Sequence, residues 1–265
     1  MPYRIHSLLV GVMVFKGVRE PVHAWLIEGE GRKILVDAGM PDIQTTETRW
    51  KTETELGGGE VLLSQLQQNG ASADDIDFLV LTHLHFDHAW NLDLFPKSIA
   101  VVQRSEVIHA IDPVPTHRTH YAREINAALV GRRKPSQLAI IEGDQQLVPG
   151  IRLMHLPGHT PGIMGVLVDT EKGVVGLPSD AGEWYSTWYP ADPVANASPI
   201  NYLRGSFLPP PIYTESVNTS INGMTRFAAE FDIVIPSHDW RIPKHVPEQW
   251  WAIPTAEAEP VNAKN

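Results

Sequence analysis

An α/β fold is predicted for this chain by three observations. Short apolar runs of strand length recur along it, segments of helical character fall between them, and the residues with the richest chemistry each sit just past one of the apolar runs. Functional groups of α/β proteins gather on loops held at the ends of a rigid sheet, so the third observation reinforces the first two. In chain order, strands are expected near 3–15, 22–28 and 32–37, the first of them carrying the apolar stretch Leu8–Phe15. A helix follows near 59–69, with Gly70 as a Schellman-type stop. Residues 71–77 lead into the run Asp77-Phe78-Leu79-Val80, short enough for a buried strand. Arg104–Ile111 and His120–Val130 read as helices, the second on the outside of the molecule. Ile151–Leu156 forms a strand that ends in the breaker-dense turn Pro157-Gly158-His159-Thr160-Pro161-Gly162. A hairpin over 163–177 turns at Glu171-Lys172-Gly173. An irregular stretch over 181–213, a helix near 216–230 and a last strand at 232–235 complete the pattern. Residues 1–252 are expected to form a single domain, and the polar residues 253–265 a disordered tail.

Bulk properties agree with one enzyme domain. A length of 265 residues suits one large α/β unit with a substantial core. Lys+Arg number 21 against Asp+Glu 31, a formal charge of -10 that repels nucleic-acid phosphates and argues against a nucleic-acid partner. The chain has no cysteine, which rules out disulfides and thiolate ligands. No apolar run approaches the about 20 residues of a spanning helix, and Met1–Phe15 lacks a basic leader and a small-residue cleavage site. A cytoplasmic protein without a membrane partner is expected.

Five histidines and two aspartates carry the functional signal. His83, His85, Asp87 and His88 are packed into Leu81-Thr82-His83-Leu84-His85-Phe86-Asp87-His88, directly after the run ending at Val80. In extended chain His83 and His85 point the same way and can converge on one metal; Asp87 and His88 break that period and face another point. Imidazole nitrogen and carboxylate oxygen suit zinc. His159, Asp180 and His238 repeat the placement after Ile151–Leu156, Val174–Leu177 and Ile233–Ile235. Packing alone gives no reason to crowd three imidazoles and a carboxylate at a strand end.

The run His83-Leu84-His85-Phe86-Asp87-His88, with the later His159, Asp180 and His238, resembles the metallo-β-lactamase superfamily and is most similar within it to the N-acyl-homoserine lactonase family. Ile140-Ile141-Glu142-Gly143-Asp144, Val148-Pro149-Gly150 and Leu35-Val36-Asp37-Ala38-Gly39 extend the likeness, which spans residues 20 to 240. The resemblance implies a four-layer αββα sandwich with metals at one open edge. It implies two Zn2+ per chain, other divalent metals being possible: His83, His85 and His159 on the first, Asp87, His88 and His238 on the second, Asp180 bridging both. The implied activity is a quorum-quenching lactonase, a dinuclear hydrolase that opens an N-acyl-homoserine lactone or related small lactone by attack of a metal-bridging hydroxide. Two zinc ions against Asp87, Asp180 and that hydroxide leave a charge of about +1, which attracts a carbonyl oxygen or alkoxide. Asp87 is the candidate proton carrier to the leaving oxygen.

One position departs from the lactonase pattern. Those enzymes carry a tyrosine three residues after the bridging aspartate, where this chain has Glu183, followed by Trp184 and Tyr185; Tyr185 is the candidate replacement, completing a catalytic set of Asp87, Asp180 and Tyr185. Redox di-iron relatives are disfavoured because they carry a glutamate where His85 stands. Glyoxalase II is disfavoured because only 27 residues follow His238. Hydrolysis of another carbonyl bond, thioester or amide, is the alternative activity, and a non-catalytic binding protein is disfavoured by the intact ligand set. The partner is a small molecule, and monomer and homodimer are both left open. The aromatics Trp184, Tyr185, Trp188, Tyr189, Tyr202 and Phe207, with Trp90, are either pocket wall or loop packing. His6, His23, His109, His117, His120, His155 and His245 are read as core or surface residues, His117 and His120 lying in a polar connection without further ligands. Asn196 and Asn218 match the glycosylation pattern by chance.

Overall fold

Alternate residues of a strand point to opposite faces, and both faces of the larger sheet are apolar, so each must be covered. Ile34 and Val36 on one side and Leu35 on the other are all fully buried, as are Val101 opposite Ala100 and Val102. The structure is a computed structural model that describes residues 2–132, 137–188, 214–242 and 244–246.

The larger sheet contains β1 (Arg4–Phe15), β2 (Val18–Gly29), β3 (Arg32–Val36), β4 (Glu53–Leu56), β5 (Phe78–Val80), β6 (Ile99–Gln103), β7 (Leu138–Ile141) and β13 (His245–Val246). Its order is β13-β1-β2-β3-β5-β6-β7, with β4 also on β1. The smaller sheet has β8 (Gln145–Val148), β9 (Ile151–His155), β10 (Met164–Thr170), β11 (Gly173–Leu177) and β12 (Ile233–Val234), in the order β12-β11-β10-β9-β8. β1 and β2 form a hairpin closed by Lys16 and Gly17, whose φ values of 51° and 80° are the positive pair that a type I′ turn needs. From β3 through β5, β6 and β7 the pairing is parallel. Parallel neighbours need crossovers, and these contain helices α1 (Ile43–Trp50), α2 (Gly59–Gln68), α3 (Phe86–Ala89), α4 (Arg104–Ile111) and α5 (Arg123–Gly131). The short α6 (Tyr185–Trp188) and the longer α7 (Val217–Ala228) belong to the second half.

Three apolar clusters define four layers. Ile5, Trp25, Ile27, Val36 and Val80 of the larger sheet meet Leu153, Met164, Val166, Val175 and Leu177 of the smaller one. Behind the larger sheet, Leu8, Leu26, Leu35, Leu79 and Val102 pack with Leu62 and Leu66 of α2 and Ile125 and Leu129 of α5. Behind the smaller, Met154, Leu167 and Val234 pack with Met224 and Phe227 of α7. Gly165 and Gly176 permit that last contact, because a Cβ at either would stand 2.7 to 2.9 Å from the Phe227 ring. This is the αββα sandwich expected, built as an α/β domain.

The elements differ from expectation in detail. Gly70 follows α2 with φ 73°, in the stop conformation anticipated. The helix read from His120 begins only at Arg123, because Tyr121 pairs with His85 as an isolated β-bridge. α1, β4 and β6 to β8 had no separate expectation. Residues 189–213 and the tail 253–265 lie outside the described residues. Among the described residues no helix is long and apolar enough to cross a membrane.

Phe227 is fully buried under the smaller sheet. Phe227→Ala should cost about 3–5 kcal/mol in urea denaturation, whereas Val130→Ala, at an exposed helix position, should stay within about 0.5 kcal/mol of the parent.

Candidate metal centre

Four strand ends deliver the seven side chains. β5 runs out at Val80, and the chain stays extended through His85, whose φ of -67° and ψ of 156° place it just before α3. His83 and His85 therefore project from extended chain, while Asp87 and His88 project from the single turn of α3. His159 rides on the turn after β9, Asp180 on the 3-10 turn Ser179–Ala181 after β11, and His238 on the segment after β12. All seven are buried. The ring centroids of His83 lie 4.5 Å from His85, 4.2 Å from His88 and 5.1 Å from His159, and His88 lies 5.4 Å from His238.

Asp180 stands between two triads. Its Oδ1 is 3.2 Å from Nε2 of both His88 and His238, and its Oδ2 is 3.6 Å from His159 Nε2 and 3.9 Å from His83 Nε2. Ligand atoms of His83, His85 and His159 fall within 4.8 Å of one another, as do those of Asp87, His88 and His238. Nε2 of His83 and of His85 are buried and make no hydrogen bond, and the buried Nε2 of His88 meets only the Asp180 carboxylate, at 3.2 Å. Buried polar atoms without partners are costly, and here they aim at a shared space lined by nitrogen and oxygen donors. The donor set fits divalent metal binding.

An outer ring of acceptors and hydroxyls aims these rings. His88 Nδ1 is 2.9 Å from Asp37 Oδ2, His238 Nδ1 is 2.7 Å from the Pro21 carbonyl oxygen, and His83 Nδ1 is 3.2 Å from Thr82 Oγ1. Ser237 Oγ donates to Asp180 Oδ1 at 2.8 Å. Such partners hold the other ring nitrogen toward a metal. Asp37 also accepts from Thr82 N at 2.8 Å and from Thr82 Oγ1, from a backbone φ of 64° that non-glycine residues seldom adopt. Its place, directly after β3, is the same strand-end placement that marks Asp180 in the sequence. Glu106 is fully buried and accepts from Leu84 N, Tyr121 Oη, Thr160 Oγ1 and Gly162 N at 2.9, 2.8, 2.6 and 3.2 Å. It ties the His83–His85 segment to the His159 turn, and no spacing in the sequence marks it.

Electrostatics divides the imidazoles. Burial and neighbouring imidazoles hold His83 and His85 well below the ordinary histidine range, and burial brings His159 down to about 3. Burial also opposes charge on His88 and His238, yet nearby carboxylates, Asp180 foremost, hold His88 well above its usual value and His238 up to about 10. Asp180 is held well below the carboxylate range because, against its burial, His88 and His238 favour its ionised form. Burial, followed by the Asp180 carboxylate, pushes Glu183 well up. Glu20 is raised by burial as well, against the pull of His238. These two glutamates face the same cleft as Asp87 and Asp180.

That cleft measures about 620 Å³ and is walled by Trp50, Phe86, Tyr121 and Trp184, with Glu20 and Glu183 beside the ligand set. Trp50 stacks on Phe86 at 4.2 Å and donates its indole N–H to the Thr119 carbonyl. Trp90 packs edge-on against Trp50 at 5.7 Å, outside the cleft lining. Tyr185 is also outside that lining: its backbone N–H donates to Asp239 and its ring lies under the Arg241 guanidinium at 5.3 Å. Trp188 packs on Phe227 and Phe231. Tyr189, Tyr202 and Phe207 lie outside the described residues. His117 and His120, read as lying in a polar connection without further ligands, are brought beside the cluster by the bridge between His85 and Tyr121. It folds that segment over the ligand loop, so the fully buried His117 ring lies 5.5 Å from His85 and that of His120 5.0 Å. His23 is a packed core histidine, its Nδ1 3.0 Å from the Ser237 carbonyl and its pKa lowered by burial to about 4.

The family model described as the metallo-beta-lactamase superfamily matches residues 17–238. The chain belongs to this superfamily. It is 34% identical over 170 residues to an N-acyl homoserine lactonase of Bacillus sp, covering 61% of this chain and 64% of that one. It is 34% identical over 163 residues to the N-acyl homoserine lactonase AiiB of Agrobacterium fabrum, covering 57% and 59%. The match thus spans under two thirds of the length of these relatives. Among solved structures, an N-acyl homoserine lactone hydrolase with the product N-hexanoyl-L-homoserine at its catalytic metal center superposes with a TM-score of 0.69 at 22% identity, over 91% of this chain and 94% of that one. A putative metallo-beta-lactamase of Thermotoga maritima gives 0.60 at 18% identity, over 90% and 98%. Both share the fold of this superfamily member.

Two outcomes are expected. In the metal-free protein the raised His238 stabilises the fold fully below its unperturbed value of 6.5 and loses that contribution as pH rises through about 10. The raised Glu183 and Glu20 act in the same direction, so thermal midpoints of chelated protein should fall from pH 6.5 to pH 10. Asp37→Ala, which strips the outer partner from His88, should weaken metal binding by about 10–100-fold in calorimetric titration.

Proposed function

We propose that this protein is a metal-dependent hydrolase that opens a small lactone, an N-acyl-homoserine lactone or a close analogue. The observation that carries the reading is the position of Asp180, one carboxylate oxygen facing His88 and His238 and the other facing His83 and His159. The lactonase relatives supply the substrate class.

His83, His85 and His159 would hold one divalent ion and Asp87, His88 and His238 the other, with Asp180 shared. A bound pair of zinc ions supplies Lewis acidity toward the ester carbonyl and lowers the pKa of water toward about 7. The remaining work falls to the chain. Asp87 lines the cleft beside His88, its carboxylate 3.7 Å from His88 Nε2, and is placed to carry a proton to the oxygen that leaves as the ring opens. Trp50, Phe86 and Trp184 offer an apolar wall for the non-reacting part of the substrate and keep bulk water from that side. Asp37 and Ser237 keep His88 and Asp180 aimed while charge builds on the substrate.

Proton release measured on a panel of lactones, thioesters and amides with zinc-reconstituted protein tests the reading. Lactones should be turned over, and Asp180→Ala should lower the rate about 100-fold or more together with metal content. Turnover of thioesters or amides alone would reassign the substrate class, and a metal-free Asp180→Ala protein with full activity would overturn the site.

A further inference from the structure

Four imidazoles of the centre can be sorted by what their outward nitrogen meets. For His88 it is the Asp37 carboxylate, for His238 the Pro21 carbonyl and for His83 the Thr82 hydroxyl. His159 differs. Its Nε2 faces the centre, 3.1 Å from His85 Nδ1 and 3.6 Å from Asp180 Oδ2, while its Nδ1 is buried and has no hydrogen-bond partner. An imidazole that gives Nε2 to a metal carries its proton on Nδ1, and a buried N–H without an acceptor costs about 1–3 kcal/mol.

Directly opposite stands a second group with an unmet need. The Glu183 side chain is buried, and its carboxylate accepts no hydrogen bond from any described residue. Its Oε1 lies 3.9 Å from His159 Nδ1. The backbone that presents it is pinned on both sides: the Glu183 carbonyl accepts from His238 N at 3.0 Å, the Gly182 carbonyl accepts from Trp188 Nε1 at 3.0 Å, and Tyr185 N donates to Asp239 at 3.1 Å. With the backbone held, the approach of the carboxyl group to the ring falls to the Glu183 side chain.

Given the reading that His83, His85 and His159 hold a metal, we propose that Glu183 is the positioning residue for His159, accepting a hydrogen bond from its Nδ1 and thereby setting the affinity of that one triad. A carboxyl group offers an acceptor oxygen whether or not it carries a proton, so the role does not depend on its ionisation. Outer partners of this kind orient the ligand ring and raise its basicity. Because the His238 backbone binds the Glu183 carbonyl and not its side chain, truncating the side chain leaves the second ligand loop anchored.

Stepwise zinc titration of full-length wild type, E183A and E183Q, with thermal melts of each metal-free form, tests this. E183A should lose about 10–100-fold in affinity for one ion and keep the other, so that at limiting zinc it holds one ion where wild type holds two. E183Q, which retains an acceptor oxygen, should restore most of the loss. In zinc-loaded protein labelled with nitrogen-15 at histidine, the His159 Nδ1–H signal should be protected from exchange in wild type and E183Q and absent in E183A. An E183A protein that binds both ions as tightly as wild type, weakens both equally, or keeps that signal would overturn the assignment, as would an E183Q protein no better than E183A. A wild-type protein that binds no divalent ion would sink the underlying metal reading, and this one with it.

Discussion

Seven buried polar side chains converge at one edge of this sandwich, and they cannot satisfy one another. Imidazoles whose inward nitrogens have no donor to meet, and carboxylates set among them, would scatter toward water unless something outside the cluster held them. The surrounding structure does that holding. Asp37, Thr82, Ser237 and the Pro21 carbonyl grip the outward atoms, and Glu106 gathers three donors from the His83–His85 and His159 segments and a fourth from Tyr121. Strain appears where the grip is tightest. Asp37 and Ser179, adjacent to or within the ligand-bearing turns, both take positive φ without being glycine, a conformation that persists only where neighbouring contacts over-determine it.

The layered fold explains how such a cluster can be assembled from distant sequence. The larger sheet delivers one compact segment, His83 to His88, and the smaller sheet delivers His159, Asp180 and His238 from three separate strand ends. The apolar interface between the sheets, built from residues such as Trp25, Val80, Met164 and Leu177, fixes the registry of the two contributions. Asp180 touches ligands from both sides of that interface. Its neighbours make the electrostatic pattern coherent: the two histidines closest to its Oδ1 favour the charged form, and the ones across from it are held neutral by burial.

Much of this was legible in the chain. The His83–His88 cluster and its later partners His159, Asp180 and His238 were readable because imidazoles and carboxylates crowded at the ends of apolar runs have no packing rationale, and period-two geometry separates His83 and His85 from Asp87 and His88. The sandwich followed from alternating strands and helices together with family likeness. What escaped depended on long-range contact. Glu106 looks like any helix-surface acid until Tyr121 and Thr160 are folded onto it. His117 looks like a loop histidine until the bridge at Tyr121 lays it over His85. Residue type alone makes Tyr185 the candidate for the tyrosine's role, whereas the backbone after Asp180 turns Glu183 toward the cleft and Tyr185 toward Arg241.

The wall formed by Trp50 has a different origin from the ligands it overlooks. It comes from α1, a helix in the excursion between β3 and α2 whose partner strand β4 merely adds to the rim of β1. Of the acceptors that aim the imidazoles only Asp37 lies in that excursion, at its very start after β3, and none lies in α1 or β4. Substitutions within α1 that spare its buried face can thus recut the shape offered to a visiting molecule without touching the side chains that hold the imidazoles.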